Sequence, residues 1–190
     1  MKTLRLATWI DAPVERCFLL SLSIDLHVDS AHKSREKAID GVTSGLISEG
    51  ETVTFQARHF GWRRHTSRVE VVRPYSHFRD VMVAGSFRHF EHDHHFAAMD
   101  DGTRMRDEIR FTAPWGLLGD VLARRRLKAF LLERNATIKR VAESEEWRKY
   151  LDGGVVGRIA ATWDAPARGW NSIGLLRGVG EIALPRMRNS

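Results

Sequence analysis

Three stretches decide the fold: Phe78-Arg79-Asp80-Val81-Met82, Phe90-Glu91-His92-Asp93-His94-His95-Phe96 and Met105-Arg106-Asp107-Glu108-Ile109-Arg110-Phe111. Each alternates with a period of two, the spacing of a strand whose successive side chains point to opposite faces. One face then carries Phe78, Asp80 and Met82, then Phe90, His92, His94 and Phe96, then Met105, Asp107, Ile109 and Phe111. Gly85-Ser86 and Asp101-Gly102 separate the stretches and are turn signals, the second a typical hairpin dipeptide. A tip at Gly85-Ser86 sets Asp80 opposite His92. A two-residue turn at Asp101-Gly102 sets His94 opposite Ile109 and diagonal to Asp107. Opposite and diagonal neighbours lie about 5–8 Å apart, so two Asp–His pairs are expected side by side on the central strands.

Upstream, Val53, Phe55, Ala57 and His59 share one face, and Gly61-Trp62-Arg63 can turn the chain towards Ser67, Val69 and Val71. Together these segments read as a meander of at least five antiparallel strands. Thr3 to Ile10 alternate as a further strand. Asp11 suits an N-cap and Pro13 a first turn for a helix with Val14, Cys17 and Phe18 on its packed side. A second short helix is expected over 23–33. Downstream, Pro114-Trp115-Gly116 ends the meander, and a long helix is expected from Leu118 to Leu151. Its stripe is Leu118, Val121, Leu122, Phe130, Leu131, Ile138, Val141 and Trp147. After Gly153-Gly154 the periodicity stops, so 1–151 reads as one domain and 152–190 as a flexible or docked extension, removable without unfolding the domain.

This order of strand, two helices, meander and long helix resembles the helix-grip fold of the START-like superfamily, also called SRPBCC, which includes the birch-pollen allergen and polyketide cyclases. The wording resembles one bacterial branch, mostly of unassigned function. The resembling stretches include Gly50-Glu51-Thr52-Val53, Ala57-Arg58-His59-Phe60-Gly61, Phe78-Arg79-Asp80, Gly85-Ser86-Phe87, His92-Asp93-His94, Asp107 and Pro114-Trp115-Gly116-Leu117-Leu118-Gly119. The resemblance covers roughly 3–145. It implies an α+β domain in which a curved antiparallel sheet of about six or seven strands wraps around the long helix. It also implies a cavity for a small hydrophobic or amphipathic ligand. Phe55, His59, Phe78, Met82, Phe90, Phe96, Met105, Ile109 and Phe111 are the expected lining.

Among those apolar residues stand His59, Asp80, His92, His94 and Asp107. An ionisable group facing inward is costly unless paired, hydrogen-bonded or wet. Three readings stay open for the cluster: a structural polar network; ligand orientation or acid–base chemistry by His94, Asp107, Asp80 and His92; and a metal site in which His92 and His94, at i and i+2, are joined by His59 or a carboxylate. The working expectation is no metal and no cofactor. The function classes are a carrier, a cyclase, dehydratase or hydrolase, and a toxin–antitoxin-like or ribosome-associated partner.

The chain has 190 residues, a net charge of +6 and 43% hydrophobic residues, which suits one globular domain. Its basic residues alternate with other types along the strands, the tight cluster being Arg124-Arg125-Arg126 with Lys128, so no specific nucleic-acid binding is expected. No apolar run approaches the ~18–20 residues of a transmembrane helix, and no signal-peptide pattern opens the chain, so a cytoplasmic location is expected. The single cysteine, Cys17, excludes an internal disulfide and reads as a packing residue. Phosphate-binding loops of the G-x-G-x-x-G or G-x-x-x-x-G-K type do not occur.

Overall fold

The computed structural model describes residues 1–31, 35–58 and 62–151. His59 and the expected extension at 152–190 lie outside the described residues. Contacts divide the chain into two units after Val156. The first unit is built from β1 (Lys2–Ile10), α1 (Val14–Leu22), α2 (Ile24–Ser30), β2 (Lys37–Gly41), β3 (Thr52–Arg58), β4 (Trp62–Arg73), β5 (His77–Ala84), β6 (His89–Met99), β7 (Gly102–Thr112) and α3 (Gly116–Ala142). A 3-10 turn (Glu145–Trp147) and a short α4 (Arg148–Leu151) complete it. The seven strands form one antiparallel sheet in the order β1-β7-β6-β5-β4-β3-β2. The architecture is the expected α+β helix-grip fold, with the first strand paired against the last.

The core lies on the concave face. Phe18 of α1 is fully buried and meets Tyr75, Phe78 and Phe96 edge-on at centroid distances of 5.6, 5.7 and 5.3 Å. Such a ring contributes about 3–5 kcal/mol by the cost of truncating it. A second cluster joins Leu131 of α3 to Leu4, Ile109 and Phe111, which seats the long helix over β1 and β7. Cys17 is buried in α1, as its spacing implies. Asp11 is not the cap of α1: Pro13 holds that position without a side-chain bond, and the Asp11 amide donates to Glu143 Oε1 at 2.7 Å.

Two expectations about the long helix need correction. It ends at Ala142, because Ser144 adopts an extended backbone and its hydroxyl accepts from the Glu146 amide, starting a new turn. Its core-facing stripe runs through Gly119, Leu131, Ile138 and Val141 with Ala123 and Leu127 half-buried, whereas Leu118, Val121 and Leu122 are exposed. The start is set by Gly119, where a Cβ would fall 1.8 Å from the Pro114 carbonyl oxygen.

The β5–β6 register is the expected one, with Asp80 opposite His92. The β6–β7 register differs by two residues: His94 faces Asp107, and His92 faces Ile109. Gly102 is not in the turn. It pairs with Met99, and its φ of +150° brings it so close to β1 that a Cβ would lie 2.4 Å from the Ile10 carbonyl oxygen. The glycine serves close strand approach, and the turn is Asp100-Asp101. In β4 an irregularity between Val69 and Val71 changes the parity: Val69 pairs with the inward Asp80 but Val71 with the outward Arg79, so Val71 does not join the concave face.

Candidate functional site

Parity and register place Asp80, His92, His94 and Asp107 on the concave face of β5, β6 and β7. Their side chains cross-link diagonally. His92 Nε2 donates to Asp107 Oδ1 at 2.9 Å, and His94 Nε2 donates to Asp80 Oδ2 at 3.1 Å. The other nitrogens also face carboxylates: His94 Nδ1 lies 3.1 Å from Asp107 Oδ1, without the alignment of a hydrogen bond, and His92 Nδ1 lies 3.8 Å from Asp80 Oδ2. The two imidazole centroids are 3.7 Å apart, and Phe78 stacks on His94 at 4.0 Å. The four groups therefore form one unit instead of two separate pairs.

Sequence reasoning missed the helix's contribution. Asn135 of α3 donates from Nδ2 to Asp107 Oδ2 at 2.6 Å and to Thr8 Oγ1 at 3.1 Å. Arg134, also buried, bonds the Ser21 carbonyl and sits 3.8 Å from Asp107 Oδ1. A polar Arg-Asn pair inside an otherwise apolar helical stripe is the signal that marks them. On the other side Ser67 donates to Asp80 Oδ1 at 3.4 Å and meets His65 Nε2 at 2.9 Å.

The environments of the two carboxylates differ. Asp107 is fully buried, whereas a fifth of the Asp80 side chain is exposed. Burial pushes both carboxyls up, but the bonds and charges of His92 and His94 outweigh it. Asp80 is held down to about 2 and Asp107 well below the usual range. Burial, then the adjacent His94, pushes His92 down despite its bond to Asp107. Ionised carboxylates beside imidazoles can hold a ligand hydroxyl or carbonyl and pass a proton to it. Asp80, His92 and His94 also offer three ligand atoms within 4.8 Å of one another, a set that suits a small divalent cation.

The cluster lies where the concave face changes from closed to half-open. Along β6, Phe96, His94 and His92 are buried and Phe90 is half-buried; along β5, Phe78 is buried while Asp80 and Met82 are half-buried; along β4, Ser67 is buried and His65 half-buried. Of the expected lining residues, Phe55, Phe78, Phe96, Met105, Ile109 and Phe111 are packed into the core, and Met82 and Phe90 stand at the half-open part. Between the helices and the buried half, a crevice lined by Leu20, Ser21, His27, Arg134 and Ile138 has no room for a water molecule.

A second ionic cluster sits on the convex face. Asp93 accepts from His77 Nε2 at 2.8 Å, from Arg79 at 2.8 and 3.3 Å and from Arg110 Nη2 at 2.6 Å. Burial works against it, but these donors hold its carboxyl far below the usual range. His95 stacks on His77 at 4.8 Å, and the groove along these residues measures about 350 Å³. With all its donors on the sheet itself, the cluster ties β5, β6 and β7 together.

No protein-family model matches the sequence, and no curated protein matches it. Solved structures do resemble the fold. Protein CV1439 from Chromobacterium violaceum superposes with a TM-score of 0.61 at 13% identity, over 76% of this chain and 99% of that one. The structure of Ara h 8.0201 gives a TM-score of 0.57 at 12% identity, over 74% and 97%. The di-domain ARO/CYC protein StfQ from the steffimycin biosynthetic pathway gives 0.55 at 13% identity, over 74% of this chain and 50% of that one.

Proposed function

On the START-like helix-grip fold that this chain has, we propose a binding module for a small hydrophobic or amphipathic molecule. The ligand's apolar part rests on the half-open concave face at Met82 and Phe90, and its polar group is oriented by Asp80, which His94 holds in place. The observation that carries this reading is the position of the cluster: a polar unit at the floor of the half-open face, with Asp80 as its accessible edge. A ligand hydroxyl there meets a fixed acceptor, while apolar burial supplies affinity.

The test uses the purified full chain. Native mass spectrometry reads any co-purified molecule or metal, and anilinonaphthalene sulfonate serves as an amphipathic fluorescent probe. Met82→Trp, which fills the half-open face, is expected to reduce probe binding at least tenfold. No probe binding by the native protein, or binding indifferent to Met82→Trp, overturns the reading.

A cyclase or dehydratase reading is favoured by one observation, the imidazole–carboxylate pair His94–Asp80 on a fold shared with an ARO/CYC protein. Conversion of an aromatic polyketide analogue by the native chain, lost in Asp80→Asn with binding retained, supports it over a carrier.

A further inference from the structure

Part of the basic residues that alternate along the sequence meets the basic run of the long helix at one end of the sheet. That end holds the start of β1, the β3–β4 and β5–β6 turns and the junction of β7 with α3. It presents Lys2, Arg63, Arg64 and Arg88 as exposed side chains, and the exposed Arg124, Arg125, Arg126 and Lys128 of α3 follow within four turns of the helix start. The opposite end carries exposed acids at Asp11, Glu51, Asp100, Asp101 and Glu143. Exposed bases stand there too, among them Arg73 and Arg104, so the charges are mixed at that end, whereas the long helix starts at an end where the bases cluster.

Apolar side chains crown the same end. Trp115 is 82% exposed, Leu117 68% and Leu118 84%, with Val121 and Leu122 also exposed. Trp115 adopts a left-handed backbone (φ 68°). At 3.6 residues per turn, Leu117, Leu118, Val121 and Leu122 fall on one side, away from the core stripe, and Arg125 and Lys128 continue that side. The surface of α3 thus changes along its axis from an apolar tip to a basic collar. From Leu118 to Arg125 the rise is about 10 Å, the depth to which interfacial helices bury an apolar face beneath lipid headgroups.

We propose that the Trp115–Leu122 tip of α3 docks this domain on an anionic lipid surface. The apolar side chains enter the headgroup–acyl boundary, and the arginine collar meets the lipid phosphates. Trp115 alone of the five could stack on a base, and the four aliphatic side chains beside it could not, so the tip favours lipid over nucleic acid. No helix among the described residues is long and apolar enough to span a membrane, so the attachment is peripheral. Docked this way, the half-open end of the concave face, at Phe90 and Met82, points towards the membrane. The docking stands independently of what the concave face binds.

Co-flotation of the full chain with two vesicle types tests it: phosphatidylcholine alone, and an equimolar mixture with phosphatidylglycerol. Binding is expected to the anionic vesicles and to weaken with salt. Arg125→Gln with Lys128→Gln should weaken it about twenty- to thirtyfold, at about 1 kcal/mol per charge. Leu118→Asp should cost about tenfold or more, with melting temperatures unchanged because these side chains are exposed. Absence of binding, or binding indifferent to Leu118→Asp, overturns the proposal. So does a native oligomer that Leu118→Asp dissociates in vesicle-free buffer, which would make the tip a contact between copies. Oligonucleotide binding that persists at physiological salt and depends on the arginines but not on Leu118 would assign the surface to nucleic acid.

Discussion

His92 and Asp107 are bonded at 2.9 Å although they do not face each other in the β6–β7 ladder; the residue that faces Asp107 is His94, whose Nε2 bonds Asp80 instead. Each carboxylate is therefore held by one histidine and approached by the other, and a change at one position reaches all four.

Asp107→Asn should be strongly destabilising. The carboxylate takes bonds from His92 and Asn135 at once, so an amide there sets a donor against a donor in a fully buried site. The expected loss is about 3–5 kcal/mol in the urea unfolding free energy. A loss below about 1 kcal/mol would mean that Asp107 is not needed to hold α3 on the sheet.

Asp80→Asn should behave differently. An asparagine oxygen can keep accepting from His94, and the side chain reaches solvent. The unfolding free energy should fall by about 1 kcal/mol or less, while binding of anilinonaphthalene sulfonate changes. Large destabilisation with unchanged probe binding would assign Asp80 to the scaffold.

Acid should weaken the fold in two stages. His92 titrates below its ordinary 6.5 and Asp80 at about 2 against an ordinary 3.8, with Asp107 also depressed. In all three cases the native state binds fewer protons than the unfolded chain, so stability rises with pH through these windows. Unfolding midpoints in urea should fall first below pH 6.5, from His92, and again below pH 3.8, from the carboxylates. A midpoint that rises on acidification below pH 6.5 would contradict the placement of His92.

The Cys17 thiol should resist alkylation in the native protein. It is fully buried, and burial pushes it up to about 11. Thiolate is the reactive form, so iodoacetamide labelling should follow unfolding. Rapid labelling under native conditions would show that α1 opens locally.

Gly119→Ala should disturb the start of α3, since the added methyl meets the Pro114 carbonyl. A loss of about 1–3 kcal/mol is expected by thermal unfolding. An unchanged melting temperature would show that the junction between β7 and α3 is free to move.

Strand alternation carried most of the architecture because each residue's side is set by local geometry. Phe78 to Met82 and Phe90 to Phe96 could be read, and even paired, from sequence alone. What escaped depended on distant neighbours. Gly102 reads as a turn glycine, but its lack of a side chain serves β1, so the β6–β7 pairing was misplaced by two residues. The inward stripe of α3 was misread at Leu118, Val121 and Leu122, since an apolar residue at a helix start gives no sign of whether a sheet lies over it. The four charged candidates were identifiable from parity; Arg134 and Asn135 interrupt the apolar stripe of α3, but only its tertiary packing assigns them to Asp107.

The irregularity between Val69 and Val71 makes β4 a strand with a fixed phase. Before it, odd-numbered residues point inward; after it, Val72 pairs with the inward Phe78. A slip of the β4–β5 hairpin would have to carry that step along, and would otherwise turn Arg68 or Arg73 into the core. The hairpin thus has one frame in which both halves fit, so a single-residue insertion or deletion in β4 amounts to a frameshift of its surface: harmless to the hydrogen-bond ladder, ruinous to which side of the wall each residue faces.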